Sequence, residues 1–279
     1  ERRWCFLPSS LSEAVSILDR EEERPILFSG GTDIFPDMKN AKTIPRKVLD
    51  LSGISSLQEI ALHKGEVRIS CCVTAARIWQ DDILGRLVPV LCNAARSVGA
   101  IAIQNRATIG GNIANASAAA DMPVSLLALD ASVTLESVSG KRILSLEQFY
   151  DSYRKTNLNP NELLSTVSIP IPPEGSLQEF VKRGSRASLT LSRMSMALLS
   201  TRRENGSFDV RIAAGSMSPV PMRLRKTEAI LRDHPLSAQT IETAIETAGM
   251  EISPRKSRDY RRFLSVQCIR KHLKALENA

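Results

Sequence analysis

Aromatic residues are scarce in this sequence of 279 residues, at 4%, and beyond Tyr260, between Arg258 and Arg261, they are not interleaved with its basic clusters. A base-stacking platform needs such interleaving, so the net charge of +7 does not point to nucleic acid. A solvated face, or a dock for an acidic partner, accounts for that charge. Long hydrophobic runs are also missing. Gly, Asp or Arg breaks each apolar stretch well short of the roughly eighteen residues a membrane helix needs. The opening Glu1-Arg2-Arg3-Trp4 leads into a polar helix cap and not a secretory apolar core. The cysteines (Cys5, Cys71, Cys72, Cys92 and Cys268) are too scattered for a disulfide framework, and no C-x-x-C pair occurs. A cytoplasmic protein with buried or idle thiols and no metal site is expected. The three histidines, His63, His234 and His272, stand apart from other metal-type residues and are expected at the surface. There is no internal repeat and no low-complexity tract.

What is present is a mixed pattern of helices and strands. Ser10 and Glu13 fit a capping box, and Leu11, Ala14, Val15 and Leu18 recur at helical spacing. Pro25 to Phe28 and Lys47 to Leu51 read as short strands. The run from Leu57 through the His63-Lys64-Gly65 turn to Ser70 reads as a hairpin. A helical pattern from Thr74 to Val98 is interrupted near Gly85, and residues 99–115 show no amphipathic period. A helix over Met122 to Leu129 precedes a strand from Val133 to Val138, and Ser145 with Gln148 caps another helix. A strand from Leu163 to Ile169 stops at Pro170. After the linker Pro172-Pro173-Glu174-Gly175 come strand-like runs at 179–183, 194–201 and 208–214, with Asn205-Gly206 as a hairpin turn. Helices over 224–231, 238–248 and 259–276 close the chain. The organisation is α+β, with an N-terminal part over 1–173 (lobes 1–53 and 54–173) and a smaller part over 174–279.

Two glycine doublets carry the strongest local chemistry. Ser29-Gly30-Gly31-Thr32-Asp33 follows a strand directly, and Thr108-Ile109-Gly110-Gly111-Asn112 lies about eighty residues later. Paired glycines let successive backbone N–H groups converge on an anion, and the flanking hydroxyl and amide side chains add hydrogen bonds. Neither loop is G-x-G-x-x-G or a P-loop, so a Rossmann or P-loop reading fails; a plain turn remains the alternative at each.

The first doublet, with Pro36-Asp37-Met38-Lys39 after it, resembles the first FAD loop of molybdenum hydroxylase flavoprotein subunits, the xanthine dehydrogenase and carbon monoxide dehydrogenase family. The stretch from Ile103 to Ser117 resembles the second, continued by Ala120-Asp121-Met122-Pro123 and Leu126 to Ala131. Phe180-Val181-Lys182-Arg183 with Arg186, Val210 to Ala213 with Pro219 to Arg223, and the closing Tyr260-Arg261 and Arg270 are similar to the C-terminal part of that family. The likeness covers nearly the whole chain in order. It departs at Ser70-Cys71-Cys72, at Ala116-Ser117-Ala118, and at Ser216-Met217, which stands where the family has a glycine-rich turn.

The resemblance implies a two-part FAD-binding domain of the vanillyl-alcohol oxidase (PCMH) type, followed by a three-stranded antiparallel sheet with helices. It implies non-covalent FAD bound by Ser29, Gly30, Gly31, Thr32, Asp33, Thr108, Ile109, Gly110, Gly111 and Asn112. It adds Asp121, otherwise a helix cap, and Lys182, otherwise an exposed strand lysine. No catalytic acid or base and no iron–sulfur cluster is expected in this chain. The implied partners are a molybdopterin-binding large subunit and a two-cluster iron–sulfur small subunit, with electrons passing through FAD to NAD or another acceptor. A self-contained flavin oxidase or reductase of the same fold is the second reading.

Overall fold

A computed structural model describes residues 4–40, 45–186, 191–204, 207–253 and 257–277. The first lobe is a small parallel sheet in the order Trp4–Phe6, Lys47–Asp50, Ile26–Phe28. Helix Leu11–Arg20 joins its first two strands in sequence and buries Ala14, Val15, Ile17 and Leu18. The capping box is only half made. Ser10 Oγ accepts from Glu13 N at 3.2 Å, but the Glu13 carboxylate turns back to Ser9, accepting from its N–H at 2.8 Å and its hydroxyl at 2.9 Å. The complete box lies at Ser145 and Gln148.

The second lobe is a five-stranded antiparallel sheet ordered Ile60–His63, Glu66–Ser70, Leu163–Pro170, Ser132–Ser137, Gly140–Ser145. Its alternate residues Val67, Ile69, Val133, Leu135, Val167 and Ile169 are buried, as strand periodicity requires when one face packs inward. The helical stretch after Thr74 breaks at different places from the expected one. Helices Ala75–Gln80, Asp82–Leu87 and Pro89–Arg96 are separated at Asp81 and Val88, and Gly85 lies inside the second. Asp81 Oδ1 accepts from the N–H groups of Ile83 and Leu84, restarting the helix, and Pro89 opens the third, where its missing N–H costs nothing. Residues 99–115 also hold two short helices, Ile101–Gln104 and Ile109–Ala114.

The last part is an antiparallel sheet ordered Leu177–Arg183, Met194–Arg202, Phe208–Gly215, with the two-residue strand Met222–Arg223 added to the three expected. The Asn205-Gly206 turn lies outside the described residues. Helices Arg225–Asp233, Ala238–Glu251 and Arg258–Glu277 complete it. Strand Met194–Arg202 is a wall between two cores: Met194, Met196 and Leu198 pack with the helices, whereas Ala197 and Leu199 join the core of the first two lobes. Polar bonds cross the same boundary. Arg223, buried and bidentate to Glu228, also donates to Leu127 O at 2.9 Å and pairs with Asp130 at 2.5 Å.

His63 and His234 are exposed as expected, but His272 is 1% exposed. It lies between the last helix and the sheet, with Nε2 2.8 Å from Ser200 Oγ and Nδ1 3.2 Å from Glu179 Oε2. The helix face that looked polar in sequence is therefore turned inward, its imidazole satisfied on both sides.

Candidate functional site

The two glycine loops meet. A cleft of about 280 Å³ between the first two lobes is lined by residues 26–34 and by Thr108, Gly110, Gly111, Asn112, Asn115 and Cys71, among others. The loops approach so closely that a Cβ on Gly30 would stand 2.0 Å from the Arg106 carbonyl oxygen. Gly31 takes a left-handed φ of +73°, with the rings of Phe28 and Phe35 closed around its α-carbon. Only glycine meets both demands.

The backbone N–H groups of Gly30, Gly31, Thr32 and Asp33 have no acceptor among the described residues. Consecutive free N–H groups around a left-handed residue form a concave anion seat. The second loop is different. Ile109 N donates to Val73 O and Gly110 N to Cys71 O, both at 2.9 Å. Gly111 N donates to the Thr108 hydroxyl at 3.2 Å and Asn112 N to Thr108 O at 2.9 Å. Those groups fasten a helix start to the sheet and do not converge on an anion. What this loop presents to the cleft is the exposed Gly111 and the Asn112 side chain, whose Oδ1 is buried without a partner. An unpartnered buried acceptor beside an open glycine is what a polar ligand with its own donors would complete, so the residues present fit the ribitol and diphosphate of FAD.

Ile109 does not line the cleft: it is fully buried and anchors the helix in the core. Asp33 is exposed at the rim, yet the surrounding protein shields its carboxyl enough to raise its pKa, against the pull of Arg154. Asp121 and Lys182 are paired with each other, away from the cleft lining. Lys182 Nζ lies 2.5 Å from Asp121 Oδ2 and 2.8 Å from Ser97 O. Asp121 therefore makes no side-chain cap, and Lys182 is not an exposed strand lysine. Burial raises the Asp121 pKa to about 6, outweighing the nearby Lys182. Its Oδ1 is buried without a partner.

Sequence reasoning missed Leu158 and Leu164 as cleft residues, and it placed Cys71 near the cofactor only as part of the Ser70 to Cys72 departure from the family pattern. Cys71 lies under Gly110, and its Sγ is 3.8 Å from the Cys72 Sγ with both thiols free. Nothing local marks these positions; strand pairing alone carries them to the glycine loops. From the cleft the chain runs on through Asn115 to Ala118 and Ala119, which line a second cavity against the C-terminal part.

Comparison with known proteins agrees with this architecture. The family described as FAD binding domain in molybdopterin dehydrogenase matches residues 2–172, and the CO dehydrogenase flavoprotein C-terminal domain matches 179–276. The putative xanthine dehydrogenase FAD-binding subunit of Escherichia coli is 30% identical over 252 residues, covering 89% of this chain and 86% of that protein. The carbon monoxide dehydrogenase medium chain of Afipia carboxidovorans is 31% identical over 170 residues, covering 60% and 58%. Among solved structures, carbon monoxide dehydrogenase from Hydrogenophaga pseudoflava superposes with a TM-score of 0.92 at 24% identity, covering 100% of this chain and 98% of that one. Quinoline 2-oxidoreductase from Pseudomonas putida gives 0.89 at 27%, with the same coverage. With its FAD cofactor and its two-part architecture, the chain belongs to the FAD-binding subunits of the molybdopterin dehydrogenases, as one component of an oxidoreductase.

Proposed function

We propose that this chain is the electron-transfer subunit of a hydroxylase of the xanthine dehydrogenase type. A molybdopterin-binding large subunit oxidises the substrate and a two-cluster iron–sulfur small subunit delivers the electrons. NAD or another acceptor receives them from this chain. The xanthine dehydrogenase FAD-binding subunit that it resembles over most of its length supports the type. The observation that carries the reading is the row of unbonded N–H groups from Gly30 to Asp33 along the cleft.

When bound, FAD supplies the capacity to take electrons singly and release them as a pair. The chain's own residues bind and orient. Gly30, Gly31, Thr32 and Asp33 donate backbone N–H groups to the diphosphate, with the Ser29 and Thr32 hydroxyls beside them. Gly111 leaves the space free, and Asn112 accepts from a cofactor hydroxyl. Thr108, Ile109 and Gly110 hold that edge in place by their bonds to Cys71, Val73 and Gly111. Asp121 and Lys182 fasten the FAD lobes to the C-terminal sheet and set a charge pair beside Ser97.

The test uses the purified chain. Acid denaturation is expected to release FAD, not FMN, into the supernatant, because no attachment residue is needed. The isolated chain is expected to reduce a dye with NADH but not with a purine, an aldehyde or carbon monoxide. Turnover of any of those substrates by the chain alone would overturn the assignment.

A further inference from the structure

Two cysteines follow one another at Cys71-Cys72, where the chain departs from its family pattern. Successive side chains of a strand point to opposite faces, which would hold two such thiols apart. Here the strand Glu66–Ser70 has just ended. Val73 N donates to Ser70 O at 3.0 Å, closing a turn with the two cysteines at its corner. Both thiols are free and buried, and their sulfurs lie 3.8 Å apart. Cys71 also lines the cleft between the glycine loops.

The two thiols are unequal. Hydrogen bonding from the Cys71 thiol, helped by the Ser29 hydroxyl, holds the Cys72 thiol below its ordinary pKa against the opposing effect of burial. That same bond to Cys72, together with burial, pushes the Cys71 thiol well above its own. Cys72 is therefore the readier thiolate, with a protonated thiol beside it. A disulfide between adjacent residues is strained, because their Cα atoms are about 3.8 Å apart and ordinary disulfides span at least about 4.4 Å. Strain makes such a bond easy to reduce, which suits a reversible switch and not a structural bridge.

The pair also reaches the flavin site. The Cys71 carbonyl belongs to the peptide that ring closure twists, and it accepts from Gly110 N at 2.9 Å. The Val73 carbonyl accepts from Ile109 N, also at 2.9 Å. A Cβ on Gly110 would stand 2.5 Å from the Cys71 Cβ, so there is no slack between the turn and the second glycine loop.

We propose that Cys71 and Cys72 are a redox switch, which hydrogen peroxide closes into a disulfide that loosens the flavin cleft. The Cys72 thiolate attacks the O–O bond, giving a sulfenic acid and, after protonation of the leaving hydroxide, water. Cys71 Sγ then attacks the Cys72 sulfur. The S–S bond forms, the S–O bond breaks, and the hydroxyl leaves as water with the Cys71 proton. Two thiols lose two electrons and two protons, and one peroxide becomes two waters. The effect on the cleft rests on the flavoprotein reading above.

The test treats the full chain, with and without FAD, with hydrogen peroxide, then blocks free thiols with iodoacetamide and digests with trypsin. Cleavage after Arg68 and Arg77 isolates both cysteines, and no others, in the peptide 69–77. That peptide is expected unalkylated and two hydrogens lighter than the dithiol, and dithiothreitol is expected to restore it. The oxidised chain is expected to bind FAD more weakly by up to about tenfold, the effect of one backbone hydrogen bond lost beneath the loop, and to recover on reduction. Cys72→Ser cannot close the ring. Its FAD affinity is expected to match that of the reduced wild type and to ignore peroxide, although Cys5 and Cys268 are still present. Both cysteines alkylated after peroxide in both preparations would overturn the proposal. So would a disulfide that leaves FAD affinity unchanged, or an equal peroxide effect in Cys72→Ser. Failure of the reduced wild type to bind FAD would count against the flavoprotein reading, while the peptide mass still decides the thiol pair.

Discussion

The two glycine doublets look alike in sequence but do different work. In the first, the N–H groups of Gly30 to Asp33 have no acceptor among the described residues; in the second, those of Ile109 to Asn112 are all used within the chain. The glycines also divide by position. Gly30 and Gly110, the first of each pair, are packing residues: added Cβ atoms would meet the Arg106 carbonyl at 2.0 Å and the Cys71 Cβ at 2.5 Å. Gly31 and Gly111 serve the cleft, one by its left-handed turn and the other by leaving space, since a Cβ on Gly111 would meet only Thr108 Oγ1 at 3.0 Å. A doublet is thus one glycine for assembly of the lobes and one for the ligand.

Substitutions can break this division, beginning with the largest expected loss of stability. Gly30→Val forces the two loops apart and is expected to cost about 3 kcal/mol or more, read as a lowered denaturation midpoint of the flavin-free protein. A midpoint like that of the wild type would mean that the close approach to Arg106 is not needed. Lys182→Met leaves Asp121 buried without its cation and is expected to cost about 3 kcal/mol, with Asp121→Asn recovering part of the loss in the double variant. Strict additivity of the two would dissolve the pair.

The same carboxyl sets a pH dependence. The folded pKa of Asp121, about 6, lies above its ordinary 3.8, so its stabilising contribution is complete below pH 3.8 and is lost as pH rises through 6. Between those limits the wild type is expected to lose on the order of 3 kcal/mol relative to Asp121→Asn. Denaturant titrations at several pH values measure that difference, and a flat profile would refute it. The smallest stability effect is expected at Gly111→Val, at most the loss of the Thr108 cap, about 1 kcal/mol. Its flavin occupancy should nevertheless collapse, because the branched side chain stands in the cleft. Wild-type flavin content in this variant would make Gly111 a turn residue like its neighbour.

Much of this was legible in the sequence because it is local or periodic. The helix and strand periods, the proline linker after Pro170 and the doublets are written within a few residues of one another. One miss is local and the others are long-range. The break in the Thr74 to Val98 stretch went to Asp81 and Val88 because side-chain capping and Pro89 outweigh one tolerated glycine. His272 lies inward because a helix with little amphipathic contrast takes its orientation from the sheet it packs on. Asp121 does not cap the helix that follows it, because its carboxyl meets a lysine 61 positions away. Sequence by itself determined the elements, their order and the two glycine loops, since these depend on residue type and spacing. Only the tertiary structure decided which loop keeps its N–H groups free and which charges are paired. Those outcomes depend on hydrogen-bond partners that chain folding brings together from distant strands and helices.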